Sequence, residues 1–302
     1  MRGPQSFTGF TVTTHDPGIA LVTFDEPERM NAMTQGLKRD LIEFLAFAEM
    51  SNDVRVIVMT GTGRAFIAGD DLKAYHRPDP TTVPRIGGGH DNAVGTYNGL
   101  RYFSQALNLA VRNLDKLTVA ALNGFAIQTG LSLALSCDFR IASTEAKLGS
   151  ATLRFGLLPD EGGHYLLVQH LGIARAMDFL MRKRIVDAEE ALSLGLVTEV
   201  TAPEELLPRA LALATELAEG PQVAMRMLKR SLYVAAESSF ERAMEDIAVR
   251  TAITDHHADA KEGGASFAQK RKPAFNAWLD PSAAGEAQHE TTTTPNRRGK
   301  RA

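Results

Sequence analysis

"TVAALNGFAIQTGLSLALSCDFRIAS", Thr118 to Ser143, decides the fold class. It reads as a strand, a glycine-marked turn, a helix and a second strand. The opening run is continuously apolar, as a strand covered on both faces must be. Asn123-Gly124 turns the chain, "TGLSLALSCD" looks helical, and "FRIAS" returns to strand. The pattern repeats on working outwards. "VRVIVMT" (Val54 to Thr60) is another buried strand, and "FTVTTH" and "GIALVTFD", separated by Asp16-Pro17, read as a hairpin. After "EPERMNAM", Thr34 stands where it can cap a helix with apolar residues at Leu37, Leu41, Phe44, Leu45 and Ala48. The spacing predicts a mixed α/β core over 8–201.

Beyond it the character changes. "PEELLPRALALATELAEG", "PQVAMRMLKRSLYVAAES" and "SFERAMEDIAVRTAITD" are helical segments punctuated by Pro, Gly or Ser, which predicts a helical oligomerisation region over 202–279. Residues 280–302 are small, polar and basic, with too few apolar groups to offset ordering entropy, so disorder is expected there. Ala74 to Gly99, rich in Pro, Gly and Asp, reads as a long loop: a gate or specificity wall, or equally a plain excursion.

The chain of 302 residues is 44% hydrophobic and 23% charged with net charge −3, so no global field draws it to nucleic acid or an anionic membrane. Its single cysteine, Cys137, cannot form an internal disulfide and sits in an apolar run, which marks a core residue. The first ten residues hold no apolar signal core, and no run approaches the roughly 18 apolar residues of a membrane span. A cytoplasmic protein is the expectation.

"GTGRAF" starts like a dinucleotide loop but lacks the third glycine and the following helix, so nucleotide binding of that type is rejected. His256-His257 and "GGGHD" have no metal-ligand spacing, and no metal is expected. Two glycine-marked turns remain, "AFIAGDDLKAY" after a buried strand and the passage through Asn123-Gly124 to Thr129-Gly130. Backbone N–H groups at a strand end, aimed together with those at a helix N terminus, make a pocket for a developing negative oxygen.

"PERMNAM", "RAFIAGDDLK", "NGFAIQTGLSLALSCDFRIASTEAKLG", "FGLLPDEGG" and "ARAMDFLMRKRIVDAEEALSLGLVTEV" occur in an order and spacing that resemble the crotonase (enoyl-CoA hydratase/isomerase) superfamily. "EGGASFAQKRKPAF" is similar to its C-terminal helix. The resemblance runs from Phe10 to Phe275. It implies an α/β fold of stacked sheets from repeated ββα units, C-terminal helices that mediate homotrimers or hexamers, and an acyl-CoA thioester substrate. Coenzyme A belongs to that substrate, and no separate cofactor is implied. By the same resemblance the oxyanion N–H donors belong to Asp70 and Thr129, where the family usually has a small residue and a glycine. Arg29, Met30, Ala68, Asp71 and Leu72 line the CoA arm, with Lys270 and Arg271 near its phosphates or on a solvated helix face.

The hydratases of this superfamily use two glutamates, at positions that here are Ser132 and Thr152. Neither is a carboxylate base at neutral pH. The stretch Gly156-Leu157-Leu158-Pro159-Asp160-Glu161-Gly162-Gly163 instead resembles the "GLxPDxGG" of the Asp-dependent isomerases, which implies Asp160 as acid/base. One carboxylate suffices to move a double bond into conjugation with a thioester, and a pocket of Leu157, Leu158 and Tyr165 would raise its pKa toward usefulness. Read without the resemblance, Asp160 is a helix cap, and Glu161 either faces solvent in the first helical turn or is itself the reactive carboxylate. A hydratase with a non-standard acid/base, sought at His90 and Asp91, and a non-catalytic acyl-CoA-binding protein are the alternatives.

Overall fold

A computed structural model of the protein describes residues 7–71 and 92–279. β1 (Phe10–His15) and β2 (Ile19–Phe24) form the expected antiparallel hairpin. The N terminus of α1 (Gln35–Met50) is capped as expected, the Thr34 hydroxyl accepting from the Leu37 N–H at 3.1 Å. Then come β3 (Val56–Gly61), β4 (Ala65–Ile67), α2 (Ala93–Gly99), α3 (Gln105–Asn113), β5 (Leu117–Leu122), β6 (Phe125–Ile127) and α4 (Thr129–Ser136). β7 (Phe139–Ser143), β8 (Lys147–Gly149), α5 (Gly163–Met181), β9 (Ile185–Asp187), α6 (Ala188–Leu194), β10 (Glu199–Thr201) and α7 (Leu206–Glu219) follow.

Among the described residues the strands make two sheets, ordered β1-β2-β3-β5-β7-β10 and β4-β6-β8-β9. From β2 onward the larger sheet is parallel. Its inner strands demand cover on both faces, because Val56–Met59 and Val119–Leu122 are fully buried. One unit recurs. A long strand runs through the larger sheet, a turn of two or three residues follows, a short strand joins the smaller sheet, and helix comes next. β5-β6-α4 is its most compact copy. Phe24 of β2 meets Phe66 of β4 edge to face, 5.4 Å between centroids, so the two sheets share one apolar core. Cys137 is buried in that core, as expected.

Two expectations change. Residues 93–99 are not loop: Asn92 caps α2 by accepting from the Gly95 N–H at 2.9 Å, and a wider turn at Leu100–Ser104 carries the helix into α3. Glycine and asparagine in "NAVGTYNG" hid this helix, since their intrinsic propensity is poor and packing overrides it. The earlier part of the expected loop, with Leu72, His90 and Asp91, lies outside the described residues, as does the tail 280–302. The division between compact units falls after Ala218, later than the expected 201/202 boundary. The cause is α7, whose Leu206, Ala210 and Ala214 are buried, whose Arg209 pairs with Glu199 at 2.7 Å, and whose Ala218 carbonyl accepts from Arg55.

The second unit holds α8 (Gln222–Glu237), α9 (Phe240–Asp255) and α10 (Ala258–Gln269). Asn276 ties its end together, accepting from the Gln222 N–H at 3.0 Å and donating from its backbone to Asp259 Oδ1 at 2.8 Å. Leu228, Leu232, Phe240, Met244 and Phe267 are left exposed. No described helix is long and apolar enough to cross a membrane.

Candidate active site

The first turn is set by the segment between β2 and α1. Pro27–Arg29 forms a single tight turn, after which Met30 and Asn31 both adopt left-handed backbone, φ 56° and 54°. The buried Asn31 side chain accepts from the Glu26 N–H at 2.8 Å and donates to the Ala65 carbonyl at 2.8 Å, fastening the segment to β4. Just beyond β4, Ala68 N–H donates to Met30 O, Met33 N–H to Gly69 O and Asp71 N–H to Met33 O, all within 3.1 Å. In this parallel bridge the N–H of Asp70, lying between the bonded positions, turns away from Met33. Arg29 pairs with Asp71. Four of the expected CoA-lining residues, Arg29, Met30, Ala68 and Asp71, thus come together.

The second turn leads into α4, all of whose residues are buried. Gln128 precedes it with φ 51° and ψ −105°, a strained conformation for a residue with a Cβ. Thr129 is the first helical residue, where N–H groups lack intrahelical acceptors and the dipole is positive. Gly130 is required here: a Cβ would lie 2.1 Å from the Ile67 carbonyl oxygen, so only glycine lets α4 begin against the end of β4. The turns meet, and Thr129 Oγ1 lies 2.7 Å from Asp70 Oδ1. Asp70 Oδ2 accepts from the buried Lys38 of α1 at 2.8 Å, and Lys38 also donates to Ser104 Oγ at 2.9 Å. Sequence reasoning missed Lys38. The signal was a lysine beside the apolar positions Leu37, Leu41 and Leu45 of an amphipathic helix.

The third component is the "GLLPDEGG" segment. A Cβ on Gly163 would sit 2.6 Å from Ser132 Oγ, so the start of α5 is pressed onto α4. Asp160 is partly buried, and its carbonyl accepts from Gln105 Nε2 at 3.0 Å. It does not cap α5, whose N-cap is Gly162 with no side-chain cap bond. The residues expected to wall it, Leu157, Leu158 and Tyr165, are 53%, 66% and 42% exposed.

Glu161 reverses its expectation. It is only 3% exposed, because α5 begins two residues later than supposed and the side chain points inward. Its Oε1 lies 2.7 Å from Thr129 Oγ1, its Oε2 accepts from Gln128 Nε2 at 3.0 Å, and its carbonyl accepts from Asn108 Nδ2. Burial, then the negative charges of Asp70 and Asp160, push its pKa up to about 7, against the hydrogen bond it shares with Thr129. Ser132 is buried, and Thr152 Oγ1 is buried without a partner among the described residues. Neither position holds a carboxylate.

In the second unit, Lys270 ends α10 in left-handed backbone. Arg271 grips Glu262 with both nitrogens at 2.5 and 2.9 Å, and these bonds pull the Glu262 carboxyl down to about 2. Its guanidinium is thus paired with an intrachain carboxylate on an exposed face.

Two sheets built from strand–strand–helix units, with a strand-end turn meeting a helix N terminus, are the architecture of the crotonase class. The enoyl-CoA hydratase/isomerase family matches residues 14–277, and the chain belongs to this family. A putative enoyl-CoA hydratase of Thermus thermophilus is 33% identical over 257 residues, 85% of this chain and 97% of that protein. The 1,2-epoxyphenylacetyl-CoA isomerase of Escherichia coli is 30% identical over 267 residues, 88% of this chain and 98% of that protein. Among solved structures, an enoyl-CoA hydratase from Bacillus anthracis superposes with TM-score 0.80 at 25% identity, covering 88% of this chain and 98% of the other.

Proposed function

We propose that this member of the family moves the double bond of an enoyl-CoA thioester from the β,γ into the α,β position, with Asp160 as the base. The observation that carries the reading is the carboxylate inventory around α4. The two positions of the hydratase glutamates hold Ser132 and Thr152, while the "GLLPDEGG" segment packs Glu161 and Gly163 against α4, with Asp160 beside Glu161. Asp160 takes a proton from the α-carbon, and the electron pair moves through the former carbonyl to its oxygen as a dienolate. The backbone N–H groups of Asp70 and Thr129 hold that oxygen. Asp160 then returns the proton to the γ-carbon and the thioester carbonyl reforms, with no water consumed. Arg29, Met30, Ala68 and Asp71 line the CoA arm. Coenzyme A enters with the substrate, and no other cofactor is needed. The exposed apolar residues of α8 and α9 suit a homotrimer or hexamer.

Hydration is the second reading, favoured by the names of most similar proteins and by the neutral-range carboxyl of Glu161, which would serve as the further acid/base. An absorbance assay separates the two. With a β,γ-enoyl-CoA, conjugation gives a rise; with an α,β-enoyl-CoA, hydration gives a fall. The isomerase predicts a rise with the first and silence with the second, and Asp160→Asn abolishing the rise while acyl-CoA affinity is kept. A fall with the second substrate restores the hydratase.

A further inference from the structure

The Thr129 side chain sits between two carboxyl groups. Its hydroxyl has a single proton yet lies 2.7 Å from a carboxylate oxygen on each side, Asp70 Oδ1 and Glu161 Oε1. If both carboxyls were ionised, one of these contacts would set lone pair against lone pair. One carboxyl must therefore carry a proton and donate it to Oγ1. Asp70 is held as the anion by the Lys38 ammonium at 2.8 Å. Among the described residues no cation hydrogen-bonds to Glu161; its other oxygen takes a neutral amide proton from Gln128 at 3.0 Å. The consistent chain runs Glu161 O–H to Thr129 O–H to Asp70 carboxylate to Lys38.

We infer that Glu161 is held as a neutral carboxylic acid that keeps negative charge away from the N terminus of α4, which makes it a positioning residue for the oxyanion turns. This rests on the reading of Asp70 and Thr129 as thioester donors, whichever reaction follows. The groups facing Glu161 support it. The β4 end brings Asp70 and its own segment brings Asp160, both raising its proton affinity; Gln128, Thr129 of α4 and Asn108 of α3 are all neutral. An ionised Glu161 would lie beside the N–H groups of α4 and oppose a developing oxyanion with the field they otherwise supply. Deprotonation falls near pH 7, so thioester polarisation should weaken as pH rises through neutrality.

The test combines infrared and visible spectra, neither of which needs turnover. Below neutrality the protein should show a protonated-carboxyl band that disappears with a midpoint near 7, is missing from Glu161→Gln, and moves to lower pH in Asp70→Asn. A conjugated aromatic enoyl-CoA bound by the wild type should be red-shifted below neutrality and lose most of that shift above it. In Glu161→Gln the amide still donates to Thr129 and the shift should become independent of pH. Absence of the band, absence of any red shift below neutrality, or a red shift whose pH dependence survives in Glu161→Gln overturns the inference. If Glu161→Gln fails to fold, the wild-type band and its displacement in Asp70→Asn decide the matter. Both behaviours in a protein that isomerises no β,γ-enoyl-CoA would sink the proposed reaction and leave this inference standing.

Discussion

At the scale of single residues, the two side chains that depart from family habit explain one another. Thr129 brings a hydroxyl to a place where the family usually has glycine, and a buried hydroxyl needs partners. It finds them in Asp70 and Glu161 at 2.7 Å each. Asp70 in turn needs a cation, which Lys38 supplies from inside the protein. Truncating one partner of a buried pair leaves the other charge uncompensated, at a cost of about 3 kcal/mol or more. Lys38→Met should therefore lower the free energy of unfolding in urea by about that amount, and a loss under half a kcal/mol would show the pair to be solvated. Asp160, Asp70, Thr129, Ser132 and Thr152 could be singled out in the sequence because the ordered motifs of the resemblance index them. Lys38 and Glu161 were not. Their roles depend on which way a side chain points at a helix boundary, and a shift of two residues in where α5 starts turned Glu161 from solvent to core.

At the scale of elements, the site depends on how closely α4 begins against β4. Gly130 allows that approach, so Gly130→Ala places a methyl carbon 2.1 Å from the Ile67 carbonyl oxygen and the start of the helix must shift. Overpacking of this kind costs about 1–3 kcal/mol. The larger consequence is functional, because the Thr129 N–H moves with the helix end, and the red shift of a bound enoyl-CoA should be lost even where the variant remains folded. Thr34→Ala is the control. It removes the cap bond to Leu37 at 3.1 Å and should cost about 1 kcal/mol of stability while leaving that shift unchanged. Equal spectral losses in the two variants would show that stability, and not the β4–α4 approach, governs polarisation. Strands and capped helices with strong patterns were readable for the same reason that this control is clean: their signals are local. The helix from Ala93 into α3 was not readable, since tertiary packing outweighs the poor propensity of its glycines and asparagines.

At the scale of the whole molecule, a buried and a partly buried titratable group in the first unit act on stability in opposite senses. Glu161 is raised to about 7 from an ordinary 4.5, so between those values the folded chain holds a proton the unfolded chain has lost. Stability from this group is greatest below 4.5 and is lost as pH rises to about 7. His170, in α5, is lowered to about 4 from 6.5, mainly by burial, then by the positive charge of Arg140. Between those values the unfolded chain binds the extra proton, so stability is lost as pH falls from 6.5 to about 4. Each contribution is on the order of 3 kcal/mol, at about 1.4 kcal/mol for each pH unit of displacement. Over the shared window they offset one another, and the wild type should show a nearly flat melting temperature on mild acidification. Removing either group unmasks the other. Glu161→Gln should become less stable as the pH falls through this window, whereas His170→Gln, which can still donate to the Leu135 carbonyl, should become more stable. Melting curves of the three proteins across that range decide it. Parallel pH profiles would mean that neither group is held away from its ordinary protonation, and the hydrogen-bonded chain through Thr129 would lose its acid end.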